Sequence, residues 1–328
     1  MRRRQILVAG ASVPALLAAP AVRGQGSAWP NRPIRLIVPY PAGVSPDVVA
    51  RIIAERLGTV LGQQVMVDNR AGAGGLLGTE VAAAAPNDGH SLLFCVKAPL
   101  AIAPHLQANI RFRPLEDFAA ITQLLIVPHV LTAAPNTPYA NLAELVAHAR
   151  RSPGRVDYAS LGVGSQPHVA MEAWAKRLDI RLNHVPYRAN PQPDVMNGTV
   201  SLSLEASTTA VPAIQGGRIK ALAISGTERI ASLPAVPTVS EHDPALDPGG
   251  VIGNSWHGIF APIGTPEPIL ARLNLEVVRI VNQAAVQERL RGLGLSPTGT
   301  PAATLAEGLA SDHAFWGALI RELGIRLE

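Results

Sequence analysis

Ile34-Arg35-Leu36-Ile37-Val38-Pro39-Tyr40-Pro41-Ala42-Gly43-Val44-Ser45-Pro46-Asp47 is the stretch on which the fold turns. Residues 34–38 read as a buried strand. A turn built on Pro and Gly follows, and Asp47 opens a segment in which Val49, Ile52, Ile53, Leu57 and Leu61 recur at helical spacing. An acid at that start suits the free first amides and the helix dipole. The pattern then repeats: strand 64–67, helix 76–85, strand 91–96. The turns between them are Asn69-Arg70-Ala71-Gly72-Ala73-Gly74-Gly75 and Pro86-Asn87-Asp88-Gly89. Such alternation predicts a parallel sheet with right-handed crossovers. In sheets of that kind ligands sit outside the carboxyl ends of the strands.

Further along, two apolar pieces, 121–127 and 130–133, flank Pro128-His129. A second α/β series follows: helix 142–150, strand 156–159, helix 169–178, strands 182–186 and 200–204, a helix-like run at 211–214 and strand 221–224. Residues 234–253 are irregular, rich in Pro, Gly and Asp. Strand 256–261 and helices 266–282, 285–293 and 301–323 end the chain. One α/β unit, a second unit and a return make an insertion pattern. Crossings near Ile126 and Ser255 are expected to form a hinge between two lobes.

The chain has 328 residues, 48% of them apolar and 4% aromatic, so the core must be built from Leu, Val, Ile and Ala. Its first residues read as a leader. Arg2-Arg3-Arg4 is a basic start, residues 6–22 are apolar with Pro14 and Pro20, and cleavage is expected after Gly24 or Ala28. The apolar run is short for a membrane span, and Arg3-Arg4-Gln5-Ile6-Leu7 is similar to a twin-arginine signal. The formal charge is +4, from 28 Lys and Arg against 24 Asp and Glu. Removing residues 1–24 takes away Arg2, Arg3, Arg4 and Arg23 and no acid, leaving 24 against 24. Nucleic acid as a partner loses its electrostatic support. Cys95 is the only cysteine, which excludes an intramolecular disulfide. Nine histidines form no H-x-x-x-H or H-E-x-x-H pattern, so no metal is expected, and no cofactor motif is complete. A dinucleotide frame from Gly72 would need glycine where Leu77 stands.

The order and spacing of these stretches, together with residues 158–168, His184-Val185-Pro186-Tyr187 and residues 256–266, resemble the periplasmic solute receptors of the tripartite tricarboxylate transporter type, also called Bug receptors. The resemblance covers nearly the whole chain beyond the leader. It implies an α/β, two-lobed type II periplasmic binding protein fold (a Venus flytrap). Residues 1–28 would be the signal peptide, 29–125 and 254–328 one lobe, and 126–253 the other. It also implies a monomer in the periplasm that takes a small organic acid and hands it to the permease subunits of a membrane transporter. The family often has glycine where this chain has Val44 and Ser45, which narrows the pocket and limits close backbone approach.

The site implied by the resemblance is Tyr40, Ala42, Gly43, Ser45 and Asp47 from one lobe, and Gly164, Ser165, Gln166, Tyr187 and Glu205 from the other. Lys97, Arg188 and His168 are secondary candidates. Tyr40 would give an aromatic wall, and Asp47 would cap the helix instead of touching an anion. The free amides at 164–166 and the Ser165 hydroxyl would hold an acid, and Arg188 could pair with it. Glu205 could accept a ligand amine or brace the cleft. Two alternatives stay open. One is an exported hydrolase using Ser165 and His168, although Val163 and Pro167 break the G-x-S-x-G elbow. The other is a receptor feeding a signalling partner.

Overall fold

The computed structural model describes residues 29–326, so the leader segment 1–28 and the last two residues lie outside the described chain. Its elements, in order, are β1 Ile34–Val38, α1 Ser45–Leu61, β2 Val65–Asn69, α2 Leu76–Ala83, β3 Ser91–Val96, β4 Phe118–Val127, β5 His129–Ala133, α3 Leu142–Arg151, β6 Asp157–Ser160, α4 Gln166–Arg177, β7 Asn183–Pro186, α5 Gln192–Met196, β8 Leu202–Ala206, α6 Ser207–Gln215, β9 Lys220–Ile224, α7 Val239–His242, β10 Ser255–Pro262, α8 Glu267–Val281, α9 Ala284–Gly292, β11 Ser296–Pro297 and α10 Ala302–Leu323.

The strands form two sheets, ordered β11-β4-β10-β3-β1-β2 and β7-β6-β8-β5-β9. β1 runs parallel to β2 and β3, and β6 parallel to β7 and β8. The parallel arrangement expected of strands 34–38, 64–67 and 91–96 is found in β1, β2 and β3, and antiparallel strands join both sheets. β10 is antiparallel to both β3 and β4, and β5 to both β8 and β9. The reason is connectivity. β4 runs directly into β5 through Pro128, and β10 brings the chain back beside β4, so neither strand has the helical crossover that parallel neighbours need.

Local sequence explains most elements. α1 buries Val49, Ile52, Ile53, Leu57 and Leu61 and exposes Arg51, and Gly62 ends it in the left-handed region at φ 67°. In α3 the Asn141 side chain accepts from the Glu144 amide at 2.9 Å and donates to the Glu144 carboxylate at 2.9 Å. All eight residues of β10 are buried, as suits a strand in the middle of a sheet. Four apolar bodies result among the described residues, two of them large. One packs α1, α8 and α9 on the first sheet; the other runs from Phe112 and Phe118 through Trp256, Trp316 and Trp174 to α3.

The two crossings lie side by side. Val127, the last residue of β4, pairs with Ser255, the first of β10. Between β4 and β5 stands only Pro128, which has no amide to donate and so interrupts the ladder. Its carbonyl accepts the Ser207 amide at the start of α6, at 2.8 Å.

Candidate ligand cleft

The first loop is organised by Asp47. Helix α1 begins at Ser45, so Val44 is its cap residue and Asp47 its third helical residue. The expected capping role is thereby refined. From one turn in, the buried carboxylate reaches back to accept the Gly43 amide at 2.8 Å. It also takes Arg51 Nε at 3.0 Å and Asn69 Nδ2 at 2.9 Å. Burial alone would raise this carboxyl, but the bonds from Arg51, Gly43 and Asn69 hold it below its ordinary value. Asn69 Nδ2 also donates to the Tyr40 carbonyl at 3.0 Å, tying the loop to the end of β2. Ala42 and Gly43 are exposed. The amides of Ser45 and Asp47, as first amides of a helix, lack intrahelical acceptors. The Ser45 hydroxyl beside them is buried and has no partner. Tyr40 stacks its edge over the glycine loop: its hydroxyl donates to the Gly74 carbonyl at 3.4 Å, and any Cβ on Gly75 would come within 3.0 Å of it.

The second loop is more internally bonded than the free amides expected at 164–166. Gly164 N–H donates to His168 Nδ1 at 3.1 Å, and Ser165 N–H to the Gly162 carbonyl at 3.2 Å. The cause is His168 itself, one helical turn on, whose ring folds back over the loop. Ser165 is the cap residue of α4, and its hydroxyl donates to the Gly162 carbonyl at 2.7 Å, leaving only lone pairs for a ligand. Ser165 and His168 thus have separate partners and make no nucleophile–base bond. His168 stacks on His184 at 4.1 Å, and burial, then His184, lowers it to about 4.

Gln166, expected at the ligand, instead braces the second crossing. Its Nε2 donates to the Asn254 carbonyl at 2.8 Å. Lys97, 3% exposed just past β3, donates to that same carbonyl at 2.7 Å and to the Val251 carbonyl at 3.0 Å, with Asp312 at 3.6 Å. Burial lowers its pKa, against the pull of Asp312 and Asp247. One carbonyl thus ties the residue just past β3 to the first residue of α4. Gly253 allows the approach. A Cβ there would meet Ser225 Cβ at 2.2 Å and Trp174 at 3.0 Å.

On the far side, Glu205 is buried in β8. Its carboxylate accepts Thr132 Oγ1 at 3.0 Å and Gln192 Nε2 at 2.6 Å, and burial raises its pKa against those two bonds. Tyr187 is half-buried and donates its hydroxyl to Asp194 at 2.8 Å, while Arg188 is exposed. Two groups escaped the sequence reading. The Thr208 hydroxyl in the first turn of α6 is buried without a partner, and Ser207 Oγ donates across to the Gly294 carbonyl at 2.7 Å. The turn after β8 was a signal for both. A surface hollow of about 500 Å³ lies elsewhere, between α3, α4 and the Asp243 turn, and contains none of these loops.

Among the described residues no cluster of three or more His, Cys, Asp or Glu is placed to hold a metal ion. No described helix is long and apolar enough to cross a membrane.

Comparison with known proteins agrees with this architecture. The chain is 34% identical over 304 residues to the protein BugT of Bordetella pertussis, covering 92% of each. A Rhodopseudomonas palustris protein solved with adipate superposes with a TM-score of 0.80 at 28% identity, over 91% of this chain and 100% of that one. MatC of Rhodopseudomonas palustris, solved with bound malate, gives 0.76 at 30%, over 89% and 100%. The solved relatives are two-lobed periplasmic binding proteins, and this chain shares their α/β fold. Residues 49–325 match the model of the tripartite tricarboxylate transporter family receptor, and the chain belongs to that family of solute-binding receptors.

Proposed function

We propose that this protein captures a small carboxylic acid between its two lobes and delivers it to the membrane permease of a tripartite tricarboxylate-type transporter. The observation that carries the reading is the shared Asn254 carbonyl, which sets the end of β3 and the start of α4 against one hinge. The unpartnered Ser45 hydroxyl and the first amides of α1 supply neutral donors for a carboxylate there. In this reading residues 29–125 and 254–326 make one lobe and 126–253 the other. They close about the paired crossings at Val127 and Ser255. Ser45, Gly43 and Tyr40 meet the acid from the first lobe. The Ser165 oxygen and the Glu205–Gln192 pair meet it from the second, and Asp47, Gln166 and Lys97 hold the frame. Export by segment 1–28 places the receptor in the periplasm as a monomer, and it performs no chemistry.

Adipate and malate in two relatives support a carboxylate as the ligand class. Native mass spectrometry of protein purified without refolding tests the proposal. The expected result is one retained acid of small mass, unchanged on incubation, whose addition back to stripped protein shrinks the radius of gyration. Turnover of the retained compound, or no acid from any carboxylate panel, would overturn it.

A further inference from the structure

We infer that the cleft takes a monoanionic acid with an apolar body, in preference to a di- or tricarboxylate. This rests on the receptor reading above and narrows its ligand.

The first observation is where the cations are. Arg51 is paired with Asp47 at 2.9 Å and Arg70 with Asp68 at 3.0 Å. Lys97 is buried against Asp312 and two hinge carbonyls. On the loops that border the cleft, Arg188 is the single described cation with no ion pair or hydrogen bond, and it lies exposed in water. A second ligand carboxylate would therefore give up its hydration with no buried countercharge to replace it. The second observation is Glu205. It is 5% exposed, and both its oxygens take bonds from neutral donors, Thr132 and Gln192. An acid on the inner wall with no cation beside it repels a second carboxylate further.

The third observation is apolar. Nine large apolar side chains are exposed among the described residues; three of them stand on the loops before α1 and α4, and a fourth, Leu77, in the first turn of α2. Val44 (39% exposed) and Leu77 (50%) lie on the first-lobe side, Leu161 (59%) and Val163 (45%) on the second. Apolar surface on both banks of one cleft is recovered by a ligand body that covers it on closure. Ser45 and the start of α1 provide for one carboxylate, and Val44, Leu161 and Val163 for an apolar body beside it.

The test is calorimetry on the stripped mature protein with matched pairs that differ by one carboxylate: hexanoate against adipate, and benzoate against terephthalate. The monoacid of at least one pair is expected to bind about tenfold or more tightly than its diacid, about 1.4 kcal/mol. In Leu161→Ser/Val163→Ser that monoacid should weaken about five- to tenfold, which corresponds to about 40–50 Å² of lost apolar contact, with an unchanged melting curve because both side chains are exposed. Tighter binding of both diacids would overturn this inference and leave the receptor reading standing. Unchanged monoacid affinity in the double variant would likewise overturn it. Failure of all four acids, with citrate and amino acids also silent, would overturn both.

Discussion

Asp247→Ala is the sharpest test of how the second crossing is held. The Asp247 side chain has no exposed surface. Oδ2 accepts the Gly226 amide at 2.8 Å; Oδ1 accepts Ile252 N–H at 2.8 Å and Gly253 N–H at 3.2 Å. The substitution leaves three buried amides without an acceptor, each costing about 1–3 kcal/mol. Water entering the vacated space relieves part of this, so a loss of about 3–5 kcal/mol is expected. Asp247→Asn keeps one oxygen for Ile252 and Gly253 but turns an amide toward the Gly226 N–H, and should lose about 1–3 kcal/mol. Urea unfolding followed by the fluorescence of Trp174 and Trp256 measures both, with the slope checked for constancy. The effect should reach the cleft as well, because the carbonyls of Val251 and Asn254, which hold Lys97 and Gln166, belong to the same segment. A loss under about 1 kcal/mol for the Ala variant would refute the assignment of Asp247 as the organiser of this crossing.

Ser45→Ala should weaken carboxylate binding about ten- to a hundredfold by calorimetry, since an unpartnered hydroxyl loses a bond to a charged acceptor. Ser165→Ala should weaken it less and loosen its loop, because that hydroxyl proton is already given to Gly162. Acidification should destabilise the fold through His129, His168 and His257, which burial lowers to about 4, about 4 and about 3. Their folded pKa values lie below the unfolded 6.5, so their contribution is complete above about pH 6.5 and is lost as pH falls toward 4, at up to about 1.4 kcal/mol per pH unit each. His257→Leu should remove about a third of that slope, and an unchanged slope would exclude it as a contributor. The Cys95 thiol, pushed up to about 12 by burial, should resist thiol reagents until the protein unfolds.

Elements whose apolar spacing is complete within one segment were legible from sequence. The stripe of α1 is one case, and the turn after β1 another. What escaped depends on residues far apart in the chain. The antiparallel direction of β10 follows from its return beside β4, more than 120 positions after that strand begins. Gln166 looked like a ligand residue because it opens a helix after a glycine loop. Its partner, however, is a carbonyl 88 residues away. His168 took the Gly164 amide out of the free set through a local bond that the spacing alone did not announce. At α4 the helix begins at Gln166, three residues before the expected start, because Pro167 fits a first turn and needs no amide partner there.

The hinge is unusually polar for a place with so little solvent. Lys97, His129, His257, Asp247 and Asp312 are each less than 9% exposed. Apolar side chains of similar volume would pack there at least as favourably, since desolvating an ion pair costs about as much as its attraction returns. What apolar packing would lack is direction. Two strands paired at Val127 and Ser255 can bend in more than one way, and a greasy contact penalises none of them strongly. A carbonyl that must accept both Lys97, just past β3, and Gln166, at the start of α4, admits a narrow set of angles. Trp256 Nε1, donating to Asp312 at 2.7 Å, fixes the acid that faces Lys97 and so carries the restraint on into α10. The burial cost of these charges is therefore better understood as setting the geometry in which the two loops meet than as stabilising either lobe.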